Sequence, residues 1–341
     1  MASRGEFFSK DVPSPIASFD WNSLYHRASL VSHLVKGVYQ LERKRVLKLC
    51  GSASPWWECY SFTLKKRLID GSNDSIYGAV FENANNYQNT PNSIVPPRYV
   101  IALRGTTIPE TTLRYFDDVK HDIRIAFENL HCGGRSKKAI EVIQSFVAEH
   151  GHTTVWIAGH SLGAGLALLA GKAMAMSGSP VEAFLFNPPI SLIPLEYLVK
   201  SEKLKFAFRF TWDIFKAVVA KTLNLNEAQE GHLSWKPNLF VNQSDPVCSE
   251  FIGYFKHRGD MAGRGLGEIT RLANGYSFRS FVFGGGENSS SDSPPKHLHF
   301  LPRAFMMVNK IESSCFLKSH ALSQWRNPML PRSTTCASYD D

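Results

Sequence analysis

The sequence predicts an α/β fold with a mostly parallel sheet, and three observations carry that prediction. The apolar stretch Val155-Trp156-Ile157-Ala158 runs straight into Gly159-His160-Ser161-Leu162-Gly163 and then into a run of small and apolar residues. That order is strand, tight turn, helix. Around it, amphipathic helical patterns alternate with short apolar strands, the rhythm of βαβ units. Between 189 and 236 the rhythm breaks, as it does where such a fold takes an insertion.

Taken in order, residues 29–46 place Leu30, Leu34, Val38 and Leu41 at helical spacing, with Val31 and Val35 widening the stripe. They predict an N-terminal helix over about 25–48, whose last turn carries Arg43-Lys44-Arg45 where cations suit the negative end of the dipole. Residues 60–68 and 76–81 alternate in strand fashion around the turn signals Asp70-Gly71 and Asn73-Asp74, a hairpin-like edge. Residues 82–97, rich in Asn and Pro, read as a surface loop. Residues 98–103 read as a buried central strand leading to Arg104-Gly105-Thr106. In 114–130, Val119, Ile123 and Leu130 recur at helical intervals. The nearby Asp117, Asp118 and Asp122 fit a solvated helix start better than metal or acid-base work.

Residues 137–149 predict another helix, with Ile140, Ile143, Phe146 and Val147 inward and Gly151 closing it. A small-residue helix over 163–176 and a parallel strand over 181–186, ended by Asn187-Pro188-Pro189, follow. In the insertion, about 190–236, Phe208, Trp212, Phe215 and Val219 form one stripe, with Arg209, Asp213 and Lys216 opposite. A cap over the serine, a surface that touches lipid, and a pair of ordinary helices all fit this pattern. Residues 239–241 read as a short strand, 250–275 as helical turns with a basic, glycine-rich patch, 284–295 as a low-complexity Gly, Ser and Pro loop, and 297–302 as the last strand.

Composition bounds the rest. A chain of 341 residues accommodates a single α/β domain over 1–341, with its core about 55–335, and a 43% hydrophobic content excludes wholesale disorder. The net charge of +8 is spread along the chain without a zinc-finger or helix-turn-helix pattern, which argues against nucleic acid and leaves peripheral contact with an anionic membrane as the better reading. Six cysteines at 50, 59, 132, 248, 315 and 336 lack any Cys-x-x-Cys spacing and read as free thiols of a reducing compartment. The N-terminus does not read as a secretory signal, and no run approaches the roughly 20 apolar residues of a membrane span. The expected location is cytoplasmic, with a membrane-peripheral position open.

The chemistry centres on Ser161. A Gly-x-Ser-x-Gly turn between strand and helix forces its central residue into a strained backbone and lifts the Oγ to the carboxyl end of the strand, so Ser161 is the candidate nucleophile. Acyl transfer also needs donors aimed at the developing oxyanion, and an acid at a strand's carboxyl end to orient a histidine. Asp245, following strand 239–241, is placed for the second task, although Asp-Pro is also a frequent turn starter.

The block Gly159-His160-Ser161-Leu162-Gly163-Ala164-Gly165, preceded by Ile101-Ala102-Leu103-Arg104-Gly105-Thr106, resembles the class 3 (fungal triacylglycerol-type) lipase family of α/β-hydrolases, especially its plant branch. The resemblance extends over about residues 97–325 in four blocks. Plant chains of this kind often carry the label GDSL esterase/lipase, yet no Gly-Asp-Ser-Leu block occurs here. The resemblance implies an α/β-hydrolase fold with a helical cap insertion, and oxyanion donors at Thr106 and Leu162. For Thr106 a simple helix-capping role is the alternative. It further implies Asp245, in Asp245-Pro246-Val247, as the triad acid. His320, in His320-Ala321-Leu322-Ser323-Gln324-Trp325, becomes the base, with His299 the other candidate, while His160 packs beside the site. The implied activity is serine carboxylic-ester hydrolysis of acyl lipids, with no cofactor and no metal. The alternatives are a catalytically idle lipase-like scaffold and an acyltransferase or thioesterase using the same residues.

Overall fold

Strands buried on both faces must be apolar at nearly every position rather than alternating. β3 (Tyr99–Leu103), β4 (Val155–His160) and β6 (Asn238–Asn242) are buried along their whole length, and β5 (Glu182–Phe186) is buried after its first residue. The computed structural model describes residues 19–49, 56–85, 94–106, 135–189, 235–263, 301, 303–326 and 334–339. Among these, eight strands form one sheet in chain order. β1 (Phe62–Ile69) and β2 (Ile76–Asn83) form an antiparallel hairpin, and β2 pairs antiparallel with β3. β3 to β6 and β7 (Ala304–Asn309) run parallel, and β8 (Thr334–Tyr339) closes the far edge antiparallel to β7.

Helices cover both faces. One carries α1 (Leu24–Val46), whose Leu34, Val35 and Val38 pack with Val100, Trp156, Phe184 and Phe240 of the strands. The other carries α2 (Arg135–His150), α3 (Leu162–Met176) and α4 (Glu250–Gly263), which meet Ile101, Ile157, Leu185 and Leu239. α1 starts five residues before the stripe read from the sequence, because Ser23 caps it through the His26 N–H. It runs with the parallel strands: Arg27 near its start pairs with Glu182 at the head of β5 at 3.2 Å, while Glu42 near its end pairs with Arg104 beyond β3 at 3.4 Å.

The last parallel strand differs from expectation. Among the described residues it is β7 at Ala304–Asn309; of the expected 297–302 only Leu301 is described, and it lies in a bend. The run Phe305-Met306-Met307-Val308 suits a strand covered on both faces. β8 was not anticipated, since a strand with four of its six residues polar gives little apolar signal. The expected helix at 114–130, the insertion up to residue 234, the 284–295 loop and His299 lie outside the described residues. No helix among the described residues is long and apolar enough to cross a membrane.

Candidate active site

The elbow is built by close approach. A Cβ on Gly159 would overlap the Gly163 carbonyl, and one on Gly163 would lie 2.5 Å from the Leu103 carbonyl, so only glycine lets strand, turn and helix meet here. Between them Ser161 takes φ 54° and ψ −126°, a conformation that costs a non-glycine residue about 1–3 kcal/mol. Its N–H donates to Phe186 O at 2.9 Å, and its carbonyl accepts from Ala164 and Gly165 to start α3. The Ser161 side chain makes no capping bond. A serine at a helix N-cap normally spends its oxygen there; this one does not.

Asp245 and His320 come together from β6 and from the loop after β7. His320 Nδ1 donates to Asp245 Oδ2 at 2.8 Å, with the acid fully buried and His320 3% exposed. The same carboxylate oxygen accepts from Asn187 Nδ2 at 2.6 Å and the Cys248 thiol at 3.1 Å, while Oδ1 accepts from the Val247 N–H. Burial pushes this carboxyl up; the His320 imidazole, then the bonds from Asn187 and Cys248, outweigh it, so the group lies below its ordinary value. Among the described residues the buried His320 Nε2 has no hydrogen-bond partner. The bond from the serine hydroxyl to this nitrogen is therefore not formed in this structure.

Asn187 escaped the sequence reading, which took it only as the end of a strand. It sits at φ 47°, a left-handed conformation that asparagine tolerates better than most residues. From there it donates to Asp245 and, at 3.1 Å, to the carbonyl of Ser319, and it accepts the Trp325 indole N–H at 2.6 Å. One buried amide thus braces the acid and the base loop together. Gln324 assists, accepting from Asn242 and Asn309 at the ends of β6 and β7 and donating to the carbonyls of Ser319 and Ala321.

A second chain of bonds links α1 to the elbow. The Gly105 N–H donates to Tyr39 Oη at 2.8 Å, so the phenol O–H donates to His160 Nδ1 at 2.9 Å, and His160 Nε2–H donates to the His320 carbonyl at 2.9 Å. Both nitrogens of His160 are thereby occupied, and burial, then the neighbouring His320, lowers its pKa to about 3. It braces the base loop as a neutral ring. Arg104 holds the Gly105 peptide from its other side, donating to the Gly105 carbonyl at 2.7 Å. Thr106, the next residue, carries a buried Oγ1 with no hydrogen-bond partner among the described residues. Leu162 is the first residue of α3, so its N–H has no intrahelical acceptor.

His33 on α1 is also held at about 3, mainly by burial. Both imidazoles stay neutral in the folded chain and gain a proton near 6.5 once unfolded, so the unfolded state binds more protons between those values. Stability is therefore full above about pH 6.5 and falls as pH drops toward 3. Melting temperatures measured from pH 7 down to pH 5 should decline, and a flat profile would show that the rings are not buried in neutral form.

A mostly parallel sheet with helices on both faces and a serine on a strained strand-to-helix turn defines an α/β-hydrolase. Residues 100–193 match the Lipase (class 3) family. An Arabidopsis thaliana protein named GDSL esterase/lipase is 34% identical over 346 residues, covering 95% of each chain. The chain belongs to the class 3 lipase family, on its plant branch, and is a hydrolase of the lipase and esterase kind. Among solved structures it is similar to a lipase from Rhizopus microsporus var. chinensis, at 13% identity and a TM-score of 0.35 over 70% of this chain and 75% of that one. A Rhizomucor miehei lipase gives 11% identity and a TM-score of 0.34 over 65% and 60% of the two chains.

Proposed function

We propose that the chain is a serine carboxylic-ester hydrolase acting on acyl lipids, in a single α/β-hydrolase domain over residues 1–341. The observation that carries this reading is the Asp245–His320 bond, made through Nδ1 and leaving the buried Nε2 without a partner among the described residues, on a loop braced against the elbow. In the reaction Ser161 Oγ attacks the ester carbonyl and gives its proton to His320 Nε2. Asp245 stabilises the imidazolium, and the N–H groups of Thr106 and Leu162 with the Thr106 hydroxyl receive the oxyanion. The imidazolium then protonates the leaving alcohol; water attacks the acyl-serine, giving a proton to His320, and the Oγ–acyl bond breaks as the imidazolium returns that proton to Ser161 and the carboxylic acid leaves. A serine–histidine bond that is open without substrate is common in such sites, because catalytic hydrogen bonds tighten in the bound complex.

An alkyl fluorophosphonate tests this directly, since it phosphonylates only an activated serine. Ser161 Oγ is expected to displace fluoride from the probe's phosphorus, leaving the label on the peptide containing Ser161. No labelling of folded protein, or labelling elsewhere, would overturn the proposal. Hydrolysis of long-chain glycerolipid esters in preference to short soluble ones would carry the acyl-lipid part.

A further inference from the structure

Three donors converge on one carboxylate oxygen. Asp245 Oδ2 accepts from His320 Nδ1 at 2.8 Å, from Asn187 Nδ2 at 2.6 Å and from the Cys248 thiol at 3.1 Å, while Oδ1 accepts from the Val247 N–H at 3.0 Å. A carboxylate oxygen offers about two lone-pair sites, so the donors on Oδ2 compete for its charge. His320 and Asn187 have tasks in the site described above. The thiol has none.

The local chain explains how the sulfur arrives there. After β6 the segment Asp245-Pro246-Val247-Cys248 closes a turn, with the Cys248 N–H donating to the Asp245 carbonyl at 3.2 Å, and this folds the cysteine side chain back over the carboxylate. A buried cysteine is ordinarily a small apolar filler, and Cys248 does lie fully buried in the core with Phe251 and Phe255. Filling alone does not account for a sulfur set against an anion. A sulfur lone pair turned toward a desolvated carboxylate is repelled, so the thiol presents its proton. Two acceptors lie within its reach, Asp245 Oδ2 at 3.1 Å and the Asn242 carbonyl at 3.8 Å, and the nearer, charged one takes it. Burial and then the Asp245 charge push the thiol well above its ordinary value, which keeps the proton on sulfur at neutral pH.

We propose that Cys248 is a positioning residue of the acid–base pair: its S–H holds Asp245 Oδ2 in place and takes up part of the negative charge that would otherwise act on His320. The inference rests on the hydrolase reading above and deepens it, since it assigns what sets the strength of the base. A carboxylate with one donor fewer pulls harder on the Nδ1–H and on the imidazolium, so hydrolysis then sets in at higher pH. The titratable groups that face the pair among the described residues are Cys248 itself and His160, whose ring lies 5.0 Å from that of His320 and stays neutral above about pH 3.

The test replaces the thiol in the full chain in three ways. Cys248→Val removes the donor and roughly keeps the apolar volume, Cys248→Ala removes the donor without adding atoms, and Cys248→Ser keeps a donor. In the valine and alanine variants the acid limb of kcat/KM for a soluble short-chain ester should move up by about half a pH unit. The proton resonance of the His320 Nδ1–H, identified by its loss in His320→Gln, should move downfield in the same two variants. Serine should restore both readouts. For a cysteine that only fills space the ranking is opposite: valine is tolerated, and serine, a smaller side chain with a buried hydroxyl, departs most, in melting temperature and not in pH. A limb and a resonance that stay at their wild-type positions in the valine and alanine variants, or that shift alike in the serine variant, would overturn the proposal. The resonance is read without ester, so its movement in a chain that hydrolyses no ester keeps the thiol's hold on the pair and removes the hydrolase reading. Ester hydrolysis with limb and resonance unmoved does the reverse.

Discussion

Ser161→Ala is expected to lower kcat for ester hydrolysis by about 10⁶-fold, His320→Ala by a similar factor, and the double variant by no more than either alone. The reason is that both groups act on one proton: without the hydroxyl there is nothing for the imidazole to accept from, and without the imidazole the hydroxyl remains a weak nucleophile. Folding should survive the serine change. Its side chain makes no capping bond, and alanine experiences the same strained φ of 54° that serine already tolerates. A double-mutant cycle on a soluble ester checks this. Losses that multiply in the double variant, or a single variant with near wild-type turnover, would show that the two residues do not work as a unit.

Asp245→Asn should lower kcat by about 10⁴-fold, because an amide in place of the carboxylate no longer selects the Nδ1–H tautomer or stabilises the imidazolium. This site adds a structural penalty. The groups facing the carboxylate from Asn187, Cys248, His320 and Val247 are all donors. An amide presents one acceptor and one donor, so either orientation sets donor against donor in a buried site, at about 1–3 kcal/mol. The melting temperature should therefore fall together with turnover. A variant within tenfold of wild-type kcat would remove Asp245 from the orienting role. The carboxylate's own pH dependence has the opposite window to an amine's: with a folded value below the ordinary 3.8, its contribution is full above that value and is lost as pH falls through the lower one.

The elbow was legible at once, because everything it needs lies within a few adjacent residues: a strand, two glycines with no room for a Cβ, and a helix. Asp245 and His320 were harder. Each is an ordinary residue in its own surroundings, an Asp before Pro and a His in a loop, and they became candidates through their order along the chain and the blocks around them. Asn187 gave a faint signal, an asparagine ending a strand, with nothing nearby to name Asp245, Ser319 and Trp325 as its partners. Tyr39 and Cys248 gave none, since a tyrosine within a buried helix and a cysteine after a turn read as packing.

Local sequence by itself determined the nucleophile's turn, the core strands read at 98–103, 155–158 and 239–241, and the helices on either side, because backbone sterics and hydrophobic periodicity act over a few residues. The tertiary structure alone decided which strand precedes the base loop, which amide braces acid to base, and how α1 is bonded through Tyr39 and His160 to that loop. Those contacts join positions between 58 and 160 residues apart, and a hydrogen bond across such a separation leaves no periodic trace in the chain.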